Sequence, residues 1–452
     1  MRVFISILFA ILVTAQGQVF AAEVVFHPYD DSLNTIVKEL EKAKSTIDLA
    51  LYNIDMTTNN PVVAWLALPS TQARMKNRTL KVRLLFEGYD GTTANEEKLH
   101  FFEGLGIDAK ILGRSQKMHH KFAVIDGYSN TPLLVTGSAN WSLGSQNFYS
   151  ENILFLPNQY SIAWQYLKEY ELLWENSQEY GQAFTYSHEE NFFSRISPTQ
   201  GISAYFNTNN YNIVNGNFEK KPDEEGYTLT RKIVAAIDAS QSKIEIATTR
   251  IKLRPVYNAI LRAARRGVKV QIVVSMQSYD YPERRKHALM RTCLNEYNSD
   301  CSTSQDFALL LNRNAYIGKD NVEVRIKYYH VDKGAYLSKQ MHSKYIIIDD
   351  KTLLTGSFNW SYSAEYGHIE NLLQIDRPYF SNILFEFHSD FYQLWNLGRN
   401  SYHSTIQDFE NKISHGEPVE CEITPMTLTY NEIDYLLDSG RRVNGSLSKS
   451  CK

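Results

Sequence analysis

Two stretches of this chain repeat each other, and the repeat constrains the fold more than any other feature. Residues 118–126 read MHHKFAVID, and residues 341–349 read MHSKYIIID. Each is followed by a second matching stretch, TGSANWS at 136–142 and TGSFNWS at 355–361. Eleven residues after the Asn of each second stretch comes a Glu-Asn pair. Internal similarity on this scale predicts two structural units with the same architecture.

The repeat divides the chain into two halves, residues 22–200 and 201–400, followed by a C-terminal tail, 401–452. Runs of apolar and β-branched residues predict strands at 47–54, 80–86, 244–251 and 268–275. Helical spacing predicts helices at 33–43, 228–239 and 256–266. Alternating strands and helices predict an α/β fold. We expect two similar α/β/α sandwich halves, with parallel strand pairs, related by a pseudo-twofold axis.

The second half carries an insertion, residues 278–320, that has no counterpart in the first half. It contains a basic run, Arg284-Arg285-Lys286. A long loop of this kind is typical of the wall of a binding cleft. The basic run predicts either a contact with a phosphate backbone or a solvated charged face.

The first 21 residues are typical of an export signal. Arg2 precedes a short apolar run from Val3 to Ala15, and cleavage is expected after Ala21. An uncleaved anchor is the alternative, although the run is short for a membrane span. We therefore expect the mature protein to be secreted or periplasmic.

Four cysteines fit an oxidising compartment. Three pairings are possible, and the simplest joins Cys293 to Cys301 and Cys421 to Cys451. Four free thiols are the alternative. Metal binding by these cysteines is not expected, because they have no CxxC spacing and no nearby pair of histidines at ligand spacing.

The net charge of −3 gives no global field that would attract a polyanion. Affinity for phosphate must therefore come from a local cluster. The acidic triplet Asp223-Glu224-Glu225 is compatible with Ca²⁺ stimulation, although a plain acidic turn is the simpler interpretation.

The repeated HxK pattern carries the chemistry. Side chains two residues apart on a strand point to the same face, so His119 projects with Lys121 and His342 with Lys344. Convergence of the two sets would place two imidazoles on opposite sides of a phosphate, one to attack phosphorus and one to protonate the leaving oxygen. Glu151 and Glu370 are suited to hold an imidazole Nδ1–H and so fix its tautomer and orientation.

HxKx4D followed by GSxN, present twice, resembles the signature of the phospholipase D superfamily over nearly all of residues 23–400. The first copy departs slightly, with ten residues rather than six between the motif Asp and Gly. The resemblance implies a metal-independent, two-step reaction through a phosphohistidine, with His119 as nucleophile and His342 as general acid and then base. It implies phosphoryl contacts from Lys121, Lys344, Asn140 and Asn359, support from Ser138 and Ser357, and structural roles for Asp126 and Asp349.

Aromatic residues flank the motifs and are suited to stack on bases. Core packing is the alternative for each of them. They are Trp141, Trp360, Tyr149 and Tyr362.

The form GSxNWS resembles the nuclease-type branch of the superfamily, so we favour nucleic acid, cut by an endonuclease, as the substrate. A phospholipase D acting on lipid head groups is the alternative, with a membrane only as the substrate surface. A non-catalytic phosphate- or membrane-binding module is a third. Both motifs lie in one chain, which predicts a functional monomer. Glycosylation sequons at Asn140 and Asn359 would obstruct the cleft, which favours a bacterial origin.

Overall fold

The computed structural model describes residues 22–88, 93–112, 116–179, 198–222, 227–276, 321–330, 339–417, 422–433 and 435–436. The predicted signal segment 1–21, the insertion 278–320, the acidic triplet 223–225 and all four cysteines lie outside these residues. Among the described helices, none combines the length and apolarity that a membrane crossing requires.

An eight-stranded sheet forms the centre of each half, and the two sheets have the same topology. The first has the strand order β1-β8-β7-β6-β2-β3-β4-β9, and the second has the order β10-β19-β17-β16-β13-β14-β15-β20. Strands β2, β3 and β4 run parallel, as do β13, β14 and β15, and the remaining neighbours are antiparallel. This arrangement confirms the predicted α/β fold with two similar halves.

The strands are numbered in chain order. Those of the first half are β1 (Glu23–Phe26), β2 (Thr46–Leu51), β3 (Lys81–Glu87), β4 (Asp108–Leu112), β5 (Lys117–Met118), β6 (Lys121–Ile125), β7 (Leu133–Gly137), β8 (Asn152–Pro157) and β9 (Gln178–Glu179). Those that follow are β10 (Ile202–Phe206), β11 (Tyr211–Val214), β12 (Asn217–Lys220), β13 (Lys243–Thr248), β14 (Lys269–Ser275), β15 (Val322–His330), β16 (Lys344–Ile348), β17 (Thr352–Gly356), β18 (His368–Ile369), β19 (Asn371–Asp376) and β20 (Glu422–Leu428).

The described helices are α1 (Ser32–Glu41), α2 (Pro61–Leu66), α3 (Pro69–Lys76), α4 (Thr93–Gly104), α5 (Leu143–Phe148), α6 (Tyr160–Glu175), α7 (Thr228–Ala239), α8 (Arg254–Arg265), α9 (Tyr362–Gly367), α10 (Ser381–Trp395) and α11 (Tyr402–Ser414). Short 3₁₀ helices span Asn207–Asn210 and Arg399–Ser401.

Alternation of side chains along the strands builds three apolar layers. On β6, Ala123 and Ile125 face an outer core with α1 and α2, whereas Phe122 and Val124 face a central core. The central core contains α6 and α10 and is shared by both sheets. A second outer core packs α7 and α8 on the other sheet. This shared apolar layer therefore joins the two halves and fixes the position of one sheet relative to the other.

The strand predicted to run through Ile54 ends at Leu51. Beyond that point the N–H of Tyr52 still bonds the carbonyl of His120, and Ile54 then bridges to Trp141, outside the strands of the sheet. Ile251 bridges to Trp360 in the same way in the second half. These departures bring the residues after each strand towards the motifs.

The described part of the C-terminal tail belongs to the second half. β20 pairs with β15 at the sheet edge, and Ile406, Phe409 and Ile413 of α11 join its outer core. At the corresponding edge of the first sheet lies the short strand β9.

The motif aspartates anchor loops rather than reach the motif histidines. The carboxylate of Asp126 accepts the backbone N–H groups of residues 44–46 at 2.7 to 3.1 Å. Asp349 accepts those of residues 241–243 at 2.8 to 2.9 Å. Both aspartates have left-handed backbones, with φ values of 49° and 52°. Each carboxylate thus fixes the start of the strand that runs beside its own motif.

We expect Asp126→Asn to lower the free energy of unfolding by about 2 kcal/mol, because a buried anionic acceptor of several N–H groups is replaced by an amide. Denaturant unfolding measures the change. The control is Asp350→Asn, an exposed carboxylate 3.8 Å from Lys243, for which we expect a change within about 0.5 kcal/mol. Unchanged stability with abolished turnover would instead place Asp126 in the chemistry.

Candidate active site

The two HxK segments meet where the halves touch, and each is held by the backbone of the other half. β5, just before His119, pairs in parallel with β18, and the N–H of His119 bonds the carbonyl of Ile369 at 3.0 Å. The N–H of His342 bonds the carbonyl of Ser150 at 3.0 Å. Both histidines therefore lie just before their own strands β6 and β16, next to the glutamate-bearing segment of the opposite half.

The histidine–glutamate pairs are crossed between the halves. His119 Nδ1 donates to a carboxylate oxygen of Glu370 at 2.9 Å, and His342 Nδ1 donates to Glu151 Oε1. Both carboxylates are buried. An Nδ1–H held in this way leaves Nε2 unprotonated and oriented for chemistry. The sequence pattern left open which glutamate serves which histidine.

Burial and charge set the protonation states of the pairs. Burial lowers the pKa of His119 well below its usual value, although the charge of Glu370 opposes the shift. Burial likewise lowers the pKa of His342. Burial alone would raise the pKa of Glu370, but the attraction of His119 outweighs it and holds that pKa far below the usual range. Each pair therefore consists of a neutral imidazole and an ionised carboxylate.

Two buried lysines supply positive charge beside the imidazoles. Lys121 Nζ donates to the carbonyl of His119 at 2.7 Å, and Lys344 Nζ donates to the carbonyl of His342. Burial lowers the pKa of Lys121 to about 7, against the attraction of Glu370, and that of Lys344 to about 8. The repulsion of Lys344 contributes to the shift of Lys121, so charges from both halves act on one pocket.

The asparagines follow tight backbone approaches at the ends of β7 and β17. A Cβ atom at Gly137 would overlap the carbonyl oxygen of Asn152, and one at Gly356 would overlap that of Asn371. Asn140 is buried, and its Oδ1 has no hydrogen-bond partner among the described residues. Its counterpart Asn359 is partly exposed. A phosphoryl oxygen would be contacted by the Nδ2–H group of the Asn140 amide, because Oδ1 is itself an acceptor.

The structure places the two motif serines, which are expected to support substrate binding from the edge of the motif, in the protein interior. Ser138 and Ser357 are completely buried, and their hydroxyls accept the backbone N–H groups of Asn152 and Asn371 at 3.0 Å. They fix the residue that follows each motif glutamate. Their hydroxyls point into the fold because the chain turns inward at the preceding glycine.

The structure also corrects the stacking role predicted for two tryptophans. Trp141 is 0% exposed and Trp360 is 1% exposed, and they lie in the two outer cores. Core packing, the alternative considered for them, is what is observed. Tyr149 instead lies beside the site, with its ring centroid 5.5 Å from that of His342.

Several residues beside the site lie outside the repeated motifs, so the motifs did not predict them. Tyr52 packs its ring 4.7 Å from that of His119 and lies under the ammonium groups of Lys117 and Lys121. His368 lies 5.4 Å from His119. Its spacing of two residues from Glu370 places both on one side of an extended chain, which is a signal that the sequence did offer.

Two residues at equivalent positions support the glutamates from behind. Asn207 Oδ1 accepts the N–H of Glu370 at 2.7 Å, and its amide donates to the carbonyls of residues 364, 365 and 368. His27 bonds the carbonyl of Glu151 through its backbone N–H and contacts the carbonyl of Ser145 through its ring. Both follow the edge strand that pairs beside the glutamate, so the sheets themselves position the carboxylates.

Residues 36–174 and 233–395, more than half of the chain, match the family described as "Cardiolipin synthase, PLD-like domain". The chain belongs to this phospholipase D-like family. The predicted membership of the superfamily is thereby confirmed.

Among curated relatives, the mitochondrial cardiolipin hydrolase of Xenopus laevis is 30% identical over 146 residues, which cover 32% of this chain and 62% of that protein. The mitochondrial cardiolipin hydrolase of Chlamydomonas reinhardtii is 26% identical over 144 residues, which cover 58% of that protein. The chain thus spans about three-fifths of the length of these relatives.

Among solved structures, phosphatidylserine synthase of Haemophilus influenzae Rd KW20 superposes with a TM-score of 0.55 and 14% identity, covering 94% of this chain and 95% of that one. Polyphosphate kinase of Porphyromonas gingivalis gives a TM-score of 0.52 and 13% identity, covering 85% of this chain and 51% of that one. These likenesses show that the two-half fold recurs in other enzymes.

The two lysines predict that phosphodiester affinity falls as the pH rises. Each amine is charged below its pKa, about 7 for Lys121 and about 8 for Lys344, and neutral above it. We expect the KM for bis(p-nitrophenyl) phosphate to rise by at least about tenfold between pH 7 and pH 9. Lys344→Arg, which stays charged, should flatten the upper part of the profile. A KM independent of pH in the unmodified protein would contradict this assignment.

Proposed function

We propose that this protein is a nuclease, a phosphodiesterase that cleaves nucleic acid strands through a phosphohistidine on His119. The observation that carries the proposal is the crossed pair of imidazoles, each fixed at Nδ1 by a buried carboxylate, beside two lysines in one pocket. All of these groups come from one chain, so we propose that the monomer is active. The export signal expected from residues 1–21 would place this activity outside the cytoplasm.

In the proposed first step, His119 Nε2 attacks phosphorus, and the bond from phosphorus to the leaving oxygen breaks. His342 reacts in its protonated form, with Glu151 as the counter-ion at Nδ1, and gives its Nε2 proton to that oxygen, while Lys121, Lys344 and the motif asparagines hold the phosphoryl oxygens as charge develops on them. In the second step, His342 takes a proton from water, the water oxygen bonds to phosphorus, and the bond from phosphorus to His119 breaks. Side chains fill every role, so we expect the reaction to proceed in EDTA.

His119 suits the role of nucleophile because burial keeps its imidazole unprotonated over the working pH range. Tyr52 covers one side of the ring, and Glu370 fixes the opposite nitrogen. An unprotonated, immobilised Nε2 is what attack on phosphorus requires.

Tyrosines and lysines in and near the pocket favour nucleic acid as the substrate. Tyr52 lies with Lys117 and Lys121 over its ring, at 5.2 and 4.9 Å. On and near α9, Lys220 lies 4.1 Å from the ring centroid of Tyr366 and 5.1 Å from that of Tyr362. Lysines contact backbone phosphates and tyrosine rings stack on bases, a combination typical of single-strand binding.

The exposed apolar side chains favour the same substrate. Among the described residues, those that are large and exposed are spread over separate elements rather than gathered into one apolar surface for a lipid interface. They are Tyr29, Met56, Leu68, Phe148, Tyr160, Val214, Phe385, Tyr392 and Tyr435.

A phospholipid head group is the second candidate. The named relatives include cardiolipin hydrolases, and the structure that superposes over 94% of the chain is a phosphatidylserine synthase. The same histidines and lysines would act on a lipid phosphodiester.

The test incubates the purified mature protein, in EDTA, with single-stranded and plasmid DNA and separately with cardiolipin-containing liposomes. We expect cleavage of DNA that falls by at least about 10³-fold in His119→Ala and in His342→Ala. The matched control is His388→Ala, an exposed histidine that pairs with Glu245 on another face, which should retain full activity.

Lipid hydrolysis without DNA cleavage would overturn the nuclease and support the phospholipid candidate. DNA cleavage that survives both motif substitutions would overturn the proposed site. Binding of DNA or liposomes without hydrolysis of either would indicate the non-catalytic module.

A further inference from the structure

The pseudo-twofold symmetry of the site breaks two residues before each motif glutamate. In the first half this residue is Tyr149, whose ring lies 5.5 Å from that of His342. In the second half it is His368, whose ring lies 5.4 Å from that of His119. The residue beside His119 is thus a histidine, which can titrate and bind a metal. The residue at the equivalent place beside His342 is a tyrosine.

The carboxylates differ in the same way. Glu151 Oε1 accepts from His342, and its Oε2 accepts the hydroxyl of Ser145, so both oxygens are used. Glu370 Oε2 accepts from His119, whereas its Oε1, which also lies 2.9 Å from His119 Nδ1, accepts no hydrogen bond of its own among the described residues. Glu370 is 0% exposed, so that oxygen is buried with its acceptor capacity unused.

Glu370 Oε1 also faces the ring of His368. His368 Nδ1 lies 3.5 Å from this oxygen, at the outer limit of a hydrogen bond, and has no other partner in the described part of the chain. The three side chains of His119, His368 and Glu370 each offer one ligand atom. These three atoms lie within 4.8 Å of one another. The side chain of His368 is 23% exposed, so the cluster is reached from solvent.

We propose that His119, His368 and Glu370 form a binding site for a divalent transition metal ion of the Zn²⁺ type. Two imidazoles and one carboxylate are a three-ligand set that Zn²⁺ accepts, with water as the fourth ligand. Bonds of about 2.0 to 2.1 Å in a tetrahedron place neighbouring ligand atoms roughly 3.3 Å apart. The separations from Glu370 to the two rings, 2.9 and 3.5 Å, lie on either side of that value.

The bound metal inhibits the enzyme, a consequence that rests on the proposed role of His119. The neutral imidazole carries one proton, which Glu370 holds at Nδ1. When a metal takes the Nδ1 lone pair, that proton moves to Nε2, and Nε2 loses the lone pair that attacks phosphorus. The metal also neutralises the charge of Glu370. Among the residues that the structure describes, the Glu151–His342 pair has no equivalent site, because Tyr149 replaces the second imidazole and Ser145 uses the second oxygen of Glu151.

The experiment titrates Zn²⁺ into the full chain by calorimetry and follows phosphodiester hydrolysis at the same free Zn²⁺. We expect one site whose affinity falls at least about 100-fold in His368→Tyr, which installs the residue of the other half, and in His368→Gln. We expect Zn²⁺ to lower the rate of hydrolysis by the unmodified enzyme. The rate of each His368 variant should be the same with and without Zn²⁺. Co²⁺ should give the visible absorption of a four-coordinate site in the unmodified chain only.

The control is His388→Ala, which removes the other cluster of possible ligands in the described residues, formed with Glu245 and Asp350. Binding should survive that substitution. Zn²⁺ affinity that is unchanged in both His368 variants, or lost in His388→Ala, would overturn the proposed site. Zn²⁺ binding that requires His368 in a chain that hydrolyses no phosphodiester would uphold the site and contradict the proposed function instead.

Discussion

Each motif histidine is held by a glutamate of the other half, and the rest of the site depends on this crossed pairing. His119 needs Glu370, and His342 needs Glu151, so neither half contains a complete imidazole–carboxylate pair. The crossing requires the two sheets to keep a fixed position relative to each other. The shared core with α6 and α10 provides this. The crossing also buries four charged or titratable groups together, and this shifts the pKa values of both lysines into the range near neutrality.

The repeat in the sequence was enough to predict the α/β fold, the two halves and the residues that meet at their junction. It was not enough to predict the crossing, since the pattern does not say which glutamate serves which histidine. Ser138 and Trp141 were misplaced because they neighbour Asn140 in sequence, whereas the backbone after Gly137 alternates between the pocket and the interior. Tyr52 reaches the site only because its strand ends three residues earlier than predicted.

The halves have the same topology but their sites are not equivalent. Ser145 and Tyr149 complete the surroundings of the Glu151–His342 pair, and His368 stands at the corresponding place beside the Glu370–His119 pair. The first pair has both carboxylate oxygens used, whereas the second keeps one oxygen and one imidazole nitrogen open towards each other. In the proposed two-step reaction one histidine bonds phosphorus and the other moves protons, and we propose that this difference assigns the two roles.

The most direct measurement is a rapid-quench experiment in which the phosphorylated histidine is located by mass spectrometry in the unmodified chain, in Glu370→Gln and in Glu151→Gln. The crossed arrangement predicts a phosphohistidine at His119 that forms more slowly in Glu370→Gln and breaks down more slowly in Glu151→Gln. Phosphorylation of His119 whose formation is slowed by Glu151→Gln, and not by Glu370→Gln, would contradict the crossed pairing.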